Sequence, residues 1–198
     1  MIIAGLTGSI AMGKSETAKM FLARGIPVFD SDAAVHALYA PGGDAVELLR
    51  RLAPESIVDG GVDRRKLAVL VQADPALLGK IEAAVHPLVK AMQSAFLADA
   101  EKRSDIAVLD IPLLFETGRD RDVDVIIVVS AGAVHQRARA LARPGMTAEK
   151  FDFILSRQLA DAEKRARADY VIDTSMSLAD TAREVDQVIS AIRAKGRA

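Results

Sequence analysis

Cysteine is missing from this 198-residue chain, and with it go a disulfide scaffold, a thiolate-ligated zinc site and a cysteine nucleophile. Asparagine is missing too, which removes every N-glycosylation sequon and any guanine-reading loop of the Asn-Lys-x-Asp kind. Neither sign of charge is in surplus: 26 Lys and Arg face 27 Asp and Glu, for a formal net charge of −1. A dedicated nucleic-acid binder normally carries a basic excess, so no nucleic-acid partner is expected. No apolar run approaches the length of a membrane span. The opening Met1-Ile2-Ile3-Ala4-Gly5-Leu6-Thr7 lacks a basic leader and its apolar stretch ends there, so the expected location is cytoplasmic, with no membrane partner. The three histidines, His36, His86 and His135, show no metal-ligand spacing. The oligomeric state has no signature in the sequence.

What is present is an ordinary globular composition, 51% hydrophobic and 27% charged, in a chain long enough for one well-buried α/β core. A single domain over residues 1–198 is expected. Five short apolar segments, rich in β-branched residues, read as buried strands: Ile2 to Thr7, Ile26 to Phe29, Ile106 to Asp110, Val123 to Val129 and Tyr170 to Ile172. Helical patterns rather than tight turns separate them, which predicts an open five-stranded parallel sheet with helices on both faces. One predicted helix covers Ser15 to Arg24. Another closes the chain, with Leu178, Ala182, Val185, Ile189 and Ile192 on one face. The interval from about 32 to 103 is too long for one crossover and is punctuated at Pro41-Gly42-Gly43, Pro54 and Asp59-Gly60-Gly61. It reads as an inserted helical subdomain able to hold a substrate. A second excursion, about 133–168, carries Arg137, Arg139, Arg143, Lys150, Arg157, Lys164, Arg165 and Arg167. Spacing alone leaves two readings of these cations, a solvated helical face and a functional cluster.

The sharpest pattern is Gly8-Ser9-Ile10-Ala11-Met12-Gly13-Lys14-Ser15, which matches G-x-x-x-x-G-K-[ST] between a predicted strand and a predicted helix. A triphosphate needs donors at close range on many sides. Glycines let main-chain N–H groups turn inward where a Cβ would obstruct, and the following helix adds the positive end of its dipole. Lys14 supplies a point charge for the β and γ phosphates, and Ser15 a hydroxyl for Mg²⁺. Glu16 completes the nucleotide-binding stretch. The chemistry is that of a P-loop enzyme using ATP with Mg²⁺.

Carboxylates close two strands. Asp30 and Asp32 follow the second strand two residues apart, so extended geometry would send both side chains from one face, at the sheet edge where open α/β folds bind ligands. Asp32 also precedes an apolar helical pattern, so a helix N-cap is the competing reading. Phosphoryl transfer suits a weak base, because its loose transition state asks mainly for an oriented hydroxyl. Asp110 ends the apolar strand Ile106-Ala107-Val108-Leu109, the pattern of a carboxylate acting on Mg²⁺ directly or through water, with loop capping as the alternative.

These residues resemble the dephospho-coenzyme A kinase family over nearly the entire chain. The carrying motifs are Gly5 to Ile10 leading into Gly13-Lys14-Ser15, Asp30-Ser31-Asp32, Val62-Asp63-Arg64-Arg65-Lys66-Leu67, His86-Pro87-Leu88-Val89, Asp110-Ile111-Pro112-Leu113-Leu114-Phe115-Glu116, Gln136-Arg137, and Arg157-Gln158 followed by Ala168 to Asp173. The resemblance implies transfer of the ATP γ-phosphoryl group to the ribose 3′-hydroxyl of dephospho-coenzyme A. It implies Asp32 as the base facing that hydroxyl. It implies acceptor contacts from Arg64, Leu67, His86, Pro87 and Leu113, and a lid over about 133–168 in which Arg137 and Arg143 close on the phosphates. Such a lid stabilises equatorial oxygen charge and excludes water.

Two positions depart from the family pattern. Ala11 replaces the usual glycine, tolerable where φ is negative. Thr174 replaces the usual asparagine beside the expected adenine pocket, and one hydroxyl cannot match a bidentate amide. Two rival readings stand: another P-loop small-molecule kinase, for a nucleotide, sugar or shikimate-like acid, and a nucleotide-dependent switch whose output is conformational. Acceptor-dependent ADP release separates them.

Overall fold

The first apolar run forms β1 (Ile2–Thr7) and leads through the glycine-rich loop into α1 (Lys14–Ala23) and β2 (Val28–Asp30). The inserted segment follows with α2 (Ser31–Tyr39), α3 (Val46–Leu52), the short strands β3 (Ile57–Val58) and β4 (Gly61–Val62), α4 (Arg64–Ala73) and α5 (Pro75–Ala100). The chain returns through β5 (Ile106–Asp110) and β6 (Val125–Ser130), then α6 (Gly132–Leu141), α7 (Ala148–Ser156), α8 (Asp161–Ala166), β7 (Tyr170–Asp173) and α9 (Leu178–Lys195). The structure, a computed structural model, describes residues 1–196. They divide into two compact units, one of Met1–Phe29 with the chain from Ala100 onward, the other Asp30–Asp99.

The first unit is built on a five-stranded sheet in the order β2-β5-β1-β6-β7. β1 runs parallel to β5, with Ala4 opposite Val108, and parallel to β6, with Leu6 opposite Ile127. β6 in turn pairs with β7, Val129 opposite Ile172. Alternate strand residues Ala4, Leu6, Ile106, Val108, Ile127, Val129 and Ile172 pack against Ala18 and Phe21 of α1 and Val185, Val188, Ile189 and Ile192 of α9. Residues of opposite parity, Ala107, Leu109 and Val128, are buried on the other face, as a sheet covered on both sides requires. Each fully buried aliphatic side chain contributes roughly 1.5–3 kcal/mol, so these two layers dominate the stability of the unit.

The second strand starts at Val28, two residues later than its apolar run. Ile26 is buried but donates its N–H back to Phe21 O at 3.1 Å, closing the end of α1. In α9 the apolar face starts later than its pattern: Leu178 is 65% exposed, while Thr181, Val185, Val188, Ile189 and Ile192 are buried. Ser177 and Asp180 form a reciprocal capping box there, so the first turn is fixed by polar groups.

The second unit is helical around Leu77, Ile81, Val85 and Val89, which recur every four residues along α5 and are buried. Pro87 lies inside that helix but off the stripe and exposed. β3 and β4 pair antiparallel through Asp59 and Gly60, both at positive φ, 48° and 78°, the two-residue turn whose twist suits a hairpin. Asp63 caps α4 by accepting from the N–H of Arg65 and Lys66.

One buried charge pair holds α8 in place. Lys164 is 0% exposed and its Nζ lies 2.7 Å from Glu116 Oε1, at an angle poor for a hydrogen bond. The same oxygen accepts from Leu159 N at 2.8 Å. Burial pushes the Glu116 carboxyl up, but the Lys164 ammonium and the Leu159 amide outweigh it and hold the group below the ordinary carboxylate range. A depressed carboxyl stabilises the fold above its unfolded titration range, and that contribution is lost as pH falls through the folded value. Glu116→Gln should therefore cost about 2 kcal/mol at neutral pH by leaving the lysine charge uncompensated. Urea unfolding at a series of pH values checks this: the gap to wild type should close on acidification, and a pH-independent gap would contradict the pair.

Candidate active site

The loop between β1 and α1 is shaped by what lies behind it. A Cβ on Gly8 would come 2.7 Å from Val129 O, so only glycine lets the loop sit on the end of β6. Gly13 has φ 94° and serves as the N-cap of α1, with no side chain capping the helix. The first-turn amides of Lys14, Ser15 and Glu16 are therefore left for an incoming acceptor, at the positive end of a ten-residue helix. Met12 is buried and its Sδ accepts from Ala131 N at 3.1 Å. Ser9 is buried as well, and its hydroxyl has no hydrogen-bond partner among the described residues.

Lys14 forms an ion pair with Asp110, whose carboxylate is buried at the end of β5. Parallel pairing of β5 with β1 brings the two residues together across 96 positions of sequence. Just beyond, Thr7 Oγ1 donates to Pro112 O at 3.1 Å and Ile111 N to Leu6 O at 3.0 Å, fixing the segment that carries the partly exposed Leu113. The structure thus joins Lys14, Ser15 and Asp110 at one end of the sheet.

Ala11 overturns an expectation. Its φ is 62°, in the left-handed region, so the methyl is carried in the conformation that favours glycine. The residue is 6% exposed and packs with Ala140 and Phe151, with Ile10, Met146 and Leu155 against them. Thr174, the other departure from the family pattern, is tied to the loop. Its hydroxyl donates to Met12 O at 2.7 Å and accepts from Arg139 Nη1 at 3.1 Å, while its carbonyl accepts from Arg139 Nη2 at 2.6 Å. Its one donor is spent on the loop and cannot read a base. A cavity of about 160 Å³ lies nearby, lined by Ser130, Ala131, Gly132, Arg165, Val171 and Asp173. A larger one, about 670 Å³, opens instead at the N-terminal ends of β1 and β5 and holds none of the loop residues.

The excursion after β6 comprises α6, α7 and α8. Arg137 is ion-paired with Asp152 at 3.0 Å and lies over the Phe151 ring. Arg143 is exposed, and its side chain has no recorded partner among the described residues. Two glutamines that the family motifs marked without giving them a role reach the loop: Gln136 Nε2 donates to Ile10 O and Ile10 N donates to Gln158 Oε1, each at 2.9 Å. With Arg139 they are residues whose roles sequence reasoning missed. The periodic signal was present only in part, since Gln136, Arg139, Ala140 and Arg143 recur at i, i+3, i+4 and i+7.

The second unit holds the remaining predicted residues. Asp30, not Asp32, caps α2, accepting from Ala33 N at 2.9 Å. The two aspartates do not continue one extended face, because Asp30 ends β2 while Asp32 already belongs to the first helical turn, exposed and without a capping bond. Arg64 opens α4, exposed, and its charge opposes the burial that raises the Tyr39 phenol. Leu67 is buried and packs within the unit, whereas His86 and Pro87 are exposed on α5. Among the described residues no cluster of three or more histidines or acids forms a metal site, and no helix is long and apolar enough to cross a membrane.

Known proteins match this geometry. A family model described as dephospho-CoA kinase matches residues 2–180. A dephospho-CoA kinase of Mesorhizobium japonicum is 53% identical over 194 residues, 98% of each chain. The crystal structure of TT1252 from Thermus thermophilus superposes with a TM-score of 0.84 at 37% identity, covering 96% of this chain and 97% of that one. A shikimate kinase from Acinetobacter baumannii reaches 0.52 at 13% identity over 98% and 94%, a likeness of fold alone.

Replacing Ala11 by glycine tests the strain. In ordinary backbone the change would cost about 1.5 kcal/mol, from glycine's extra freedom and one lost buried methyl. Relief of a left-handed alanine returns about 1–2 kcal/mol. Ala11→Gly should therefore leave the unfolding free energy nearly unchanged in a denaturant titration, and a full loss would show the conformation to be unstrained.

Proposed function

Because the chain belongs to the dephospho-CoA kinase family, we propose that the phosphate loop, Asp110 and the residues around them divide the work of that reaction as follows. The enzyme transfers the γ-phosphoryl group of ATP to the ribose 3′-hydroxyl of dephospho-coenzyme A, giving coenzyme A and ADP. The observation that carries the assignment of roles is the uncapped first turn of α1 beside the Lys14–Asp110 pair. It offers amide donors, one ammonium and one buried carboxylate at one end of the sheet.

Within the stretch Gly8 to Glu16, the main-chain amides of Lys14, Ser15 and Glu16 and the Lys14 ammonium hold the ATP phosphates, while Ile10, whose N–H is given to Gln158, shapes the loop. In a site screened from water these fixed donors stabilise charge on the transferring group without reorganising. The donor chemistry fits Mg²⁺: one carboxylate, Asp110, and one hydroxyl, Ser15, would hold it, hard oxygen donors of the kind this ion takes together with substrate phosphate. Bound there, it would neutralise phosphate charge. Thr174 being committed to the loop, the nucleobase is read by main-chain groups around Ser130 to Gly132 and by the segment at Asp173.

Asp32 accepts the proton of the 3′-hydroxyl. Asp30 takes the capping role, which frees the Asp32 carboxylate. The unit Asp30–Asp99 supplies acceptor contacts, with Arg64, His86 and Pro87 at its surface and Leu67 supporting from within; Leu113, in the first unit, is the further acceptor residue the family resemblance implies. Residues of about 133–168 form the lid, in which Arg143 is the cation available to phosphate and Arg137 supports it through Asp152.

Incubation with Mg-ATP, with and without dephospho-coenzyme A, tests the assignment. ADP release should require the acceptor, and mass spectrometry should find one phosphate added; release that ignores the acceptor would favour a nucleotide switch. Asp32→Asn should lower kcat about 100-fold or more while changing ATP affinity less than about threefold, and unchanged turnover would remove the base. Lys14→Ala should reduce kcat/KM by at least about 100-fold, measured in the same assay.

A further inference from the structure

Ile10, at the apex of the phosphate loop, is held on both of its main-chain polar groups by side chains from the lid. Its N–H donates to Gln158 Oε1 and its carbonyl accepts from Gln136 Nε2, both at 2.9 Å. The amide orientations are dictated by the partners, since an N–H needs an oxygen and a carbonyl needs an NH₂. Gln136 is therefore the donor and Gln158 the acceptor. They come from different places, Gln136 from the middle of α6 and Gln158 from just beyond α7, and Gln136 is 4% exposed.

The grip lies next to the one loop residue that needs it. Ala11 follows Ile10 with φ 62°, a conformation an alanine keeps only when its surroundings over-determine it. The packing of Ala11 with Ala140 and Phe151 closes the same contact from the apolar side. Three residues on one face of α6 end on the loop or its support: Gln136 on Ile10, Ala140 on Ala11, and Arg139 on Thr174, which holds Met12. Arg143 follows in the turn that leaves the helix, its N–H donating to Ala140 O at 3.1 Å.

We propose that Gln136 and Gln158 are positioning residues for the nucleotide half of the reaction, clamping Ile10 so that the loop keeps its phosphate-binding shape and α6 stays fixed against it. The proposal rests on the reading of this loop as the ATP site. It assigns the two glutamines no contact with substrate, and it predicts an effect on the donor nucleotide that the acceptor does not share.

The test uses four variants of the full chain, Gln136→Met, Gln158→Met, Gln136→Glu and Gln158→Glu, with KM measured for each substrate and thermal unfolding followed in parallel. Both methionine variants should raise KM for ATP about fivefold or more, with a much smaller change in KM for dephospho-coenzyme A. The glutamates should split. Gln158→Glu still accepts from the Ile10 N–H and should be milder than Gln158→Met, whereas Gln136→Glu sets a carboxylate against a carbonyl and should be harsher than Gln136→Met. Where a methionine variant does not fold, the glutamate pair alone decides. Equal effects from the two glutamates, an unmoved KM for ATP, or both KM values rising together with falling thermal stability would overturn the clamp. A wild-type enzyme without acceptor-dependent ADP release would instead fail the underlying reading.

Discussion

A loop that turns its main-chain donors toward an anion cannot use those donors to hold itself together. Its shape must be imposed from outside, and much of the first unit is organised around that constraint. Gly8 rests on the carbonyl of Val129, Met12 is tied to Ala131, and Thr174 takes the Met12 carbonyl. Gln136 and Gln158 take both polar groups of Ile10. The sizes are consistent: a left-handed alanine costs about 1–2 kcal/mol, and two neutral hydrogen bonds contribute about 0.5–1.5 kcal/mol each. The glutamine pair is of the magnitude needed to offset Ala11.

The same logic sorts the cations of the excursion. A cluster of arginines and lysines invites a single explanation, yet these side chains have separate duties. Arg139 supports Thr174, Lys150 Nζ donates to Gly145 O at 3.0 Å, Arg157 lies over the Phe153 ring and Arg167 over that of Phe115 while pairing with Asp120. Lys164 is wholly internal. Positive charge here is mostly structural, with long stems covering apolar surface and planar heads bridging elements. Arg143 lies just past the C-terminal end of α6, exposed and with no side-chain partner among the described residues.

The strands, the phosphate loop and the carboxylate at Asp110 were legible because each is a local pattern: apolar runs of strand length, fixed glycine spacing, an acid at a strand end. The features that shape the loop were not, because they join residues far apart. Thr174 meets Met12 across 162 positions and Gln158 meets Ile10 across 148, and no periodicity marks such partners. The sign of φ at Ala11 depends on what packs behind it, so a rule about alanine in isolation pointed the wrong way. The choice between Asp30 and Asp32 as cap turned on where β2 ends, a boundary one residue wide. β3 and β4, two residues each, are too short for any alternation to show.

The order of strands carries a cost during synthesis. β1 is made well before its neighbours β5 and β6, so Ile2 waits for Ile106 and Ala4 for Val125. An apolar strand with both edges open leaves the ribosome long before either partner exists. Such non-local pairing slows folding and leaves sticky intermediates. The inserted helical unit, whose contacts are near in sequence, has time to assemble first. Nucleotide binding is then a late competence, acquired only when the strands that flank the phosphate-cradling segment have emerged.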